Sequence, residues 1–587
     1  MLHRPQRSGV FTLLLALAAS PSHVAGFVGS PLLLRRVGGA QGALGLRPDA
    51  AAGVRYGMHH GLRMAADGAA PDGPAAVQDA PVIRPTARVE TGYSNANVLG
   101  DAIREALRDA AAKLPEGAAP HAVLLFVNTL YCNDGLLGEM VATKDGRDIR
   151  AGNEKYGKAI GLIARQLSQR GWTDMPVVGM SVGGNVCDDK DYEGADGGAG
   201  IGISLMYVPG STVMPFTVPT DMDESWKPND WKKTGLDPDG FTKPSLTPPY
   251  TPADDAVMFV FAHPESTAFT RKVLDSLDFA FPRAKKVGAI AGQALENHEA
   301  ALFMLPNVKN ADLNSDDSAW YDTGVVGLAV SGDIAVDAVV AQGSRPIGPN
   351  YEVLETEMNG TVVTRMRDVS TGAMTEGPPT TLFDMAGFAG MIDQADVVSA
   401  VNYIALGISV TPLEEDVDKH QYIVRPVTDL QKDGPISLGD QVRVGQVVRF
   451  HVRDDKNAEA ELTSLRARWK LERASRALDG KYPAGALVFA DQARGRKLFG
   501  REKVEAEGFA KDFPGIPLGG AFVNGAIGQL PNFGSSSAFD ENKKPLFKDG
   551  TGTPKRVGVL FDQLEKGTFL HGVGSSYVMI YGKPEQE

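Results

Sequence analysis

The chain has two cysteines in 587 residues, Cys132 and Cys187. That excludes a disulfide scaffold and any structural zinc site built from thiolates. Histidine is scarce too: four of the ten lie within the first 66 residues, so the body is too poor in imidazole for a His-rich metal site. No metal and no cofactor is expected. No apolar run reaches the roughly 18–20 residues that span a bilayer. The GxSxG elbow, the P-loop, HExxH and the GxGxxG fingerprint are all missing, so no catalytic residue is assigned. With a net charge of −13, the chain also lacks the surplus of Lys and Arg that nucleic acid requires.

What remains is the composition of a globular protein. Hydrophobic residues make up 43% and charged residues 22%, enough for a sizeable core. With 67 glycines and 37 prolines, many turns and short strands are expected. At roughly 150 residues per domain, the length suggests three or four domains, or two large ones with extensions.

Acid is missing from one region in particular. Residues 1–66 hold seven Arg, no Lys and only Asp49, a net of +6, which leaves −19 for the rest. Arg4 and Arg7 precede an apolar stretch from Val10 to Ala19, and Val24 and Gly26 suit a cleavage site. Residues 1–26 therefore read as a signal peptide. Phe27 opens a second acid-poor, Arg-bearing segment, 27–64, ending near Leu62-Arg63-Met64-Ala65-Ala66. The pair resembles the bipartite plastid presequence of algae with secondary plastids. This implies delivery to the plastid stroma; plain secretion is the alternative. Residues 65–96, rich in Ala, Pro, Asp and Gly, are expected to be a disordered linker.

Past the leader, one pattern recurs three times. Block one has an apolar strand at 122–127 and a helix at about 154–169 carrying Tyr156, Ile160, Ile163 and Leu167 at helical spacing. A glycine-bearing strand at 176–184 and a closing strand at 203–207 complete it. Block two has a strand at 256–261 and a helix opened by Pro264 and Glu265, with Phe269, Val273, Leu274 and Leu277 on one face. Its glycine strand is 286–292 and its closing strand 324–330. Block three is fainter: a strand at 486–490, a helix near 501–511, a glycine strand at 516–522 and a closing strand at 577–581. Continuous apolar strands between amphipathic helices predict an α/β protein of mixed sheets flanked by helices, with strand-helix-strand-strand blocks in two domains. A glycine inside a strand marks a bulge, a bend, or close approach of another backbone or a ligand.

A separate unit lies at about 351–480. Strands are expected at 360–363, 421–424 and 446–450 and a helix at about 395–405. A further helix, from about Asn457 to Leu478, is capped by Asp454 or Asp455. The proline-rich stretch 215–253 reads as a surface insertion.

Six motifs carry a family resemblance. They are Val178-Gly179-Met180-Ser181-Val182-Gly183-Gly184, Gln342-Gly343-Ser344-Arg345-Pro346-Ile347-Gly348 and Val448-Arg449-Phe450-His451-Val452-Arg453-Asp454. The others are Ala493-Arg494-Gly495-Arg496-Lys497-Leu498-Phe499, the stretch from Gly519 to Gly528, and Leu570-His571-Gly572. In this order they resemble the FIST family over roughly 98–582. The resemblance implies a FIST N-terminal domain at 97–350, a FIST C-terminal domain at 351–587, and a sensory role in binding small ligands such as amino acids. The chain departs from the pattern at Ser344, where the family has Cys, and at Ala526 and Gln529, where it has Glu and Pro. Thiol chemistry at residue 344 is therefore absent, and if the family's Glu holds a ligand's ammonium or tunes a neighbour, this chain binds something else or binds more weakly.

The candidate ligand-binding residues are Arg345, Gly343, Gly348, His451, Arg453, Arg494, Gly495, Asn524, Gly525 and His571. Arg345 precedes a proline and is expected to be extended in a glycine-bounded loop, where its fork suits a carboxylate or phosphate. The alternative for Arg345 is a structural ion pair. His451 and Arg453 share a strand face and suit an anion. Arg494 and Asn524 lie at strand ends, where α/β sheets bind ligands. Cys132 and Cys187 are a possible redox pair if their strands are neighbours in one sheet. The leading expectation is a sensor holding a small anionic or zwitterionic ligand between the two halves, with an unidentified signalling protein as a possible partner. An enzyme acting in that cleft and a partner-binding scaffold are the alternatives.

Overall fold

Three sheets are built on the same three-strand plan, as the repeated sequence pattern predicts. The computed structural model describes residues 85–132, 140–142, 148–150, 156–193, 198–220, 234–236, 256–281, 284–295, 298–311, 319–375, 404–410, 421–430, 434–530 and 567–585. The expected signal peptide and transit segment lie outside these residues, as does most of the linker. Residues 79–587 form one compact unit.

In sheet I, Ala122–Asn128 runs parallel to Val177–Val182 and antiparallel to Ile201–Tyr207. In sheet II, Ala256–Ala262 runs parallel to Lys285–Ile290 and antiparallel to Val325–Gly332. In sheet III, Tyr482–Asp491 runs parallel to Leu518–Val523 and antiparallel to Ser575–Gly582. The glycines fall in register: Gly179 faces Leu125, Gly288 faces Val260 and Gly520 faces Val488. A Cβ at any of the three would lie 2.7–2.8 Å from the facing carbonyl carbon. Close approach of another backbone is therefore what these strand glycines serve.

The blocks exchange strands in a ring. Gly184–Cys187, from block one, pairs with Leu518–Val523 in sheet III. Leu302–Leu305, from block two, pairs with Val177–Val182 in sheet I. Ala526–Gln529, from block three, pairs with Lys285–Ile290 in sheet II. At each crossover, the residue four past the strand glycine donates its N–H to the carbonyl two past the glycine of another block. The bonds are Gly183 to Phe522 (2.9 Å), Gly292 to Ser181 (2.9 Å) and Asn524 to Ile290 (3.1 Å). Phe126, Phe261 and Phe489, each one residue beyond the position facing a glycine, meet edge-to-face with centroids 5.6–6.1 Å apart. These contacts define an internal pseudo-threefold axis at the centre of the core.

Helices cover the outer faces because their apolar residues recur at helical spacing. Leu99–Ala112 and Tyr156–Gln169 pack on sheet I, and Thr267–Ala280 on sheet II. Asp455–Leu478 and Val504–Asp512 pack on sheet III. Tyr156, Ile160, Ile163 and Leu167 are all buried, as expected.

The separate unit is a six-stranded barrel inserted into sheet III's chain path. Its strands run in the order Arg345–Glu357, Val447–Val452, Ile404–Ser409, Tyr422–Leu430, Ile436–Leu438 and Val362–Asp368. Pairing of the last with the first closes it. Apolar side chains fill its interior, among them Tyr351, Met366, Leu406 and Phe450.

Four expectations need correction. Arg88–Ser94, assigned to the linker, is a buried strand on the edge of sheet I. Residues 215–218 of the proline-rich insertion belong to the strand Ser211–Val218 in sheet II, while 221–233 and 237–253 lie outside the described residues. Ile404 and Ala405 are strand, and the rest of the helix expected at 395–405 lies outside the described residues. The boundary expected between 350 and 351 falls inside the strand Arg345–Glu357, which the barrel needs whole.

Candidate functional site at the barrel neck

Two chain segments join the barrel to the body. Gln342-Gly343-Ser344 leads in from the sheet III strand Ile334–Ala341, and Arg453-Asp454 leads out into the helix Asp455–Leu478. Asp454 caps that helix, accepting from Asn457 N at 2.7 Å, as expected. Against this neck lies Arg494, just past the carboxyl end of the sheet III strand Tyr482–Asp491.

Arg494 is fully buried. Its Nε donates to Glu505 Oε1 at 2.7 Å. Its two terminal nitrogens, Nη1 and Nη2, have no hydrogen-bond partner among the described residues. Burial opposes the charge of Arg494, but the Glu505 carboxylate beside it outweighs burial and raises its pKa. Glu505, also fully buried, accepts from Ser575 Oγ at 2.9 Å and from the Tyr577 hydroxyl. Burial would raise its pKa, yet Arg494 and these hydroxyls hold it below the usual carboxylate range.

Gly343 explains how the guanidinium fits. Its φ is +67°, and a Cβ there would run into Arg494 Nη1. The neck's amides are held by one carboxylate: Gln342 N donates to Glu461 Oε1 at 3.1 Å and Gly343 N to Glu461 Oε2 at 2.5 Å. Burial pushes the Glu461 pKa up, against the pull of the Gly343 amide and of Arg494.

Arg453 stands beside this group. One terminal nitrogen donates to Ala493 O at 3.4 Å, and its Nε has no partner among the described residues. Burial lowers its pKa; Asp491 opposes the shift and Arg494 adds to it. Asp491 itself is pushed up to about 7 by burial, although the Ala493 amide and Arg453 favour its charged form.

The neck gathers Gly343, Arg453 and Arg494, but not the whole predicted set. Arg345 is the first residue of a barrel strand rather than a loop residue, and its Nε pairs with Asp454 at 3.6 Å, the ion-pair alternative. His451 is buried, with Nδ1 3.1 Å from Ser344 Oγ, and burial together with Arg449 holds it at about 3. It is a neutral packing group, as its edge contact with Tyr422 fits. Gly348 accepts from Arg449 at 2.8 Å. Gly495 makes room for Glu193, which accepts from Arg496 N at 2.6 Å.

Asn524 and Gly525 lie at the pseudo-threefold axis instead, with Asn524 Oδ1 accepting from Gln492 at 2.8 Å. His571 is on sheet II, with Nε2 3.2 Å from Gly528 O. Burial, reinforced by Arg425, holds it at about 3. Cys132 follows a sheet I strand, whereas Cys187 sits on a sheet III strand. The strands they were expected to follow, Ala122–Asn128 and Val177–Val182, are indeed parallel neighbours in sheet I, but Cys187 lies one strand further on, in sheet III, and the two thiols form no disulfide. Burial raises the Cys187 thiol to about 11.

Sequence reasoning missed Glu461 and Glu505. Glu461 adjoins the buried face Ala458, Leu462 and Trp469 of its helix, a placement that the helical period shows in retrospect. Nothing local distinguishes Glu505.

Comparison with known families settles the ancestry. Residues 155–367 match the FIST N domain and residues 388–529 match the FIST C domain. The chain belongs to the FIST family. The FIST N match ends within the barrel strand Val362–Asp368, so the barrel draws strands from both matched regions. FIST domains are associated with signal transduction and ligand sensing. An uncharacterized protein of Mycobacterium tuberculosis is 31% identical over 278 residues, 47% of this chain and 64% of the relative. A Mycobacterium bovis protein, also described as uncharacterized, is 31% identical over 216 residues, 35% of this chain and 49% of the relative. The chain thus spans less than two thirds of the length of these relatives. Among the described residues, no helix is long and apolar enough to cross a membrane, and no group of His, Cys, Asp and Glu is arranged to hold a metal ion.

Proposed function

We propose that this FIST protein is a sensor that binds a small anionic or zwitterionic metabolite, such as an amino acid, at the barrel neck. Arg494 and Arg453 take the ligand's carboxylate. The observation that carries the reading is Arg494: a fully buried guanidinium with two terminal nitrogens unpartnered among the described residues. Such donors are costly to bury unless something accepts from them. A carboxylate meets a guanidinium edge with two parallel bonds. The neck also joins the barrel to the body, so a ligand there touches the two parts whose relation a sensor would change. A signalling partner that reads this change belongs to the same proposal.

The test is ligand-dependent stabilisation of the purified chain against a panel of amino acids and organic acids. Binding at a hundredfold excess over Kd adds about 2.7 kcal/mol to stability. Arg453→Met should abolish that gain and leave the unliganded melting temperature nearly unchanged. Gain retained in Arg453→Met would remove the neck from the site. We also propose delivery to a plastid, from the Arg-bearing, acid-poor leader. A fluorescent protein fused behind residues 1–66 should enter the plastid of an alga with secondary plastids. Secretion of the fusion would contradict this.

A further inference from the structure

Glu461 does at the neck what a ligand carboxylate would do. Its two oxygens take the N–H groups of two consecutive residues, Gln342 and Gly343. Gly343 has φ +67°, and successive amides turned by such a residue form a concave anion-binding nest. Arg494 Nη1 occupies the space beside Gly343 where a Cβ would be. The unpartnered edge of a fully buried guanidinium thus adjoins the nest already filled by Glu461. Glu461 is carried on the helix Asp455–Leu478, which packs on sheet III through Ala458, Leu462 and Trp469.

We propose that the Gln342–Gly343 nest and Arg494 form a carboxylate-binding site that the chain closes with its own Glu461. A free organic-acid or amino-acid carboxylate then binds by displacing Glu461 and loosening the first turns of the Asp455–Leu478 helix. This inference rests on the sensor reading above and specifies its regulation: Glu461 is a tethered competitor that sets the ligand threshold. The tether makes its local concentration high, so a free carboxylate must outcompete it. Removing the Glu461 charge also strengthens the positive field around Arg494.

The experiment uses the full chain, with succinate and L-glutamate as probes. Dissociation constants are measured by calorimetry for wild type, Glu461→Gln and Glu461→Asp. Glu459→Gln, which alters the exposed Arg501 pair, is the control. Amide exchange over 455–468 is followed in the wild type with and without saturating probe. The expected result is at least tenfold tighter binding by Glu461→Gln, an intermediate value for Glu461→Asp, no change for Glu459→Gln, and faster exchange in the bound wild type. Equal affinities with unchanged exchange would overturn the competitor role and leave the sensor reading intact. Binding by neither wild type nor variants would overturn both. If Glu461→Gln fails to fold, Glu461→Asp and the wild-type exchange decide the matter.

Discussion

Replacing Gly520 by Ala tests the strand exchange at its tightest point. Gly520 lies inside the parallel pair of sheet III, facing Val488, with φ +145°. A Cβ would lie 2.8 Å from both the carbonyl carbon and the amide nitrogen of Val488. Ordinary carbon contacts begin near 3.5 Å, so these two atoms alone would force the strands about 0.7 Å apart, and the Val488 carbonyl oxygen, closer still, would force them further. They are hydrogen-bonded to each other, and Leu518–Val523 is also held on its other side by Gly184–Cys187. Overpacking costs about 1–3 kcal/mol even where side chains can yield. Here the obstacle is backbone and the φ disfavours a side chain, so a loss of at least about 3 kcal/mol is expected. For one compact unit of this size, that corresponds to a melting temperature lower by roughly 3 °C or more. Gly161→Ala is the matched control: it sits in the helix Tyr156–Gln169 with open space around its Cβ position. It should raise stability by about 0.5–1 kcal/mol. Differential scanning fluorimetry of both variants reads the contrast. A Gly520→Ala protein as stable as wild type would refute the close-approach argument.

Acid stability should respond in opposite senses to two buried groups. His571 is held at about 3, mainly by burial, against an unfolded value near 6.5. The unfolded chain therefore binds the extra proton between these pH values, and stability falls on acidification by about 1.4 kcal/mol per pH unit. His571→Gln should flatten urea-denaturation stability over that window. Asp491, pushed up to about 7 by burial, binds its proton in the folded state first, so its contribution is lost as pH rises from about 4 to 7. Asp491→Asn should accordingly steepen the acid loss between pH 7 and 4. No change of slope in either variant would contradict the burial of these groups. Asp440, buried between Arg271 and Arg425, ties the barrel to the helix Thr267–Ala280. Asp440→Asn leaves both cations short of a counter-charge and should cost about 3–5 kcal/mol in thermal or chemical denaturation; a cost below 1 kcal/mol would show the tie to be incidental.

The parts of the fold legible in the sequence are those fixed by local pattern. Apolar runs located all nine core strands of the three blocks, and Tyr156, Ile160, Ile163 and Leu167 marked a helix face. Asp454 announced its cap. The strand exchange was not legible because it pairs residues hundreds of positions apart, such as Gly184–Cys187 with Leu518–Val523. No local period encodes such a partner. Arg88–Ser94 lies next to an Ala- and Pro-rich stretch, and its buried pairing with Ile201–Tyr207 is likewise long-range. The candidate site was half legible for the same reason. Arg494 and Arg453 stand in family motifs, but Glu505, which pairs with Arg494, and Glu461, which holds the neck amides, are ordinary helix acids until the fold buries them. His451 and His571 show the converse: both stand in motifs, yet both are neutral packing groups, His451 against Ser344 and Tyr422 and His571 on sheet II.

The central claim is that the neck binds a carboxylate. Native mass spectrometry of the purified chain, followed by thermal shift against amino acids and small organic acids, tests it most directly. A ligand adduct, or a saturating rise of several degrees, is expected and should disappear in Arg453→Met. A clean unliganded mass with no shift across the panel would contradict it.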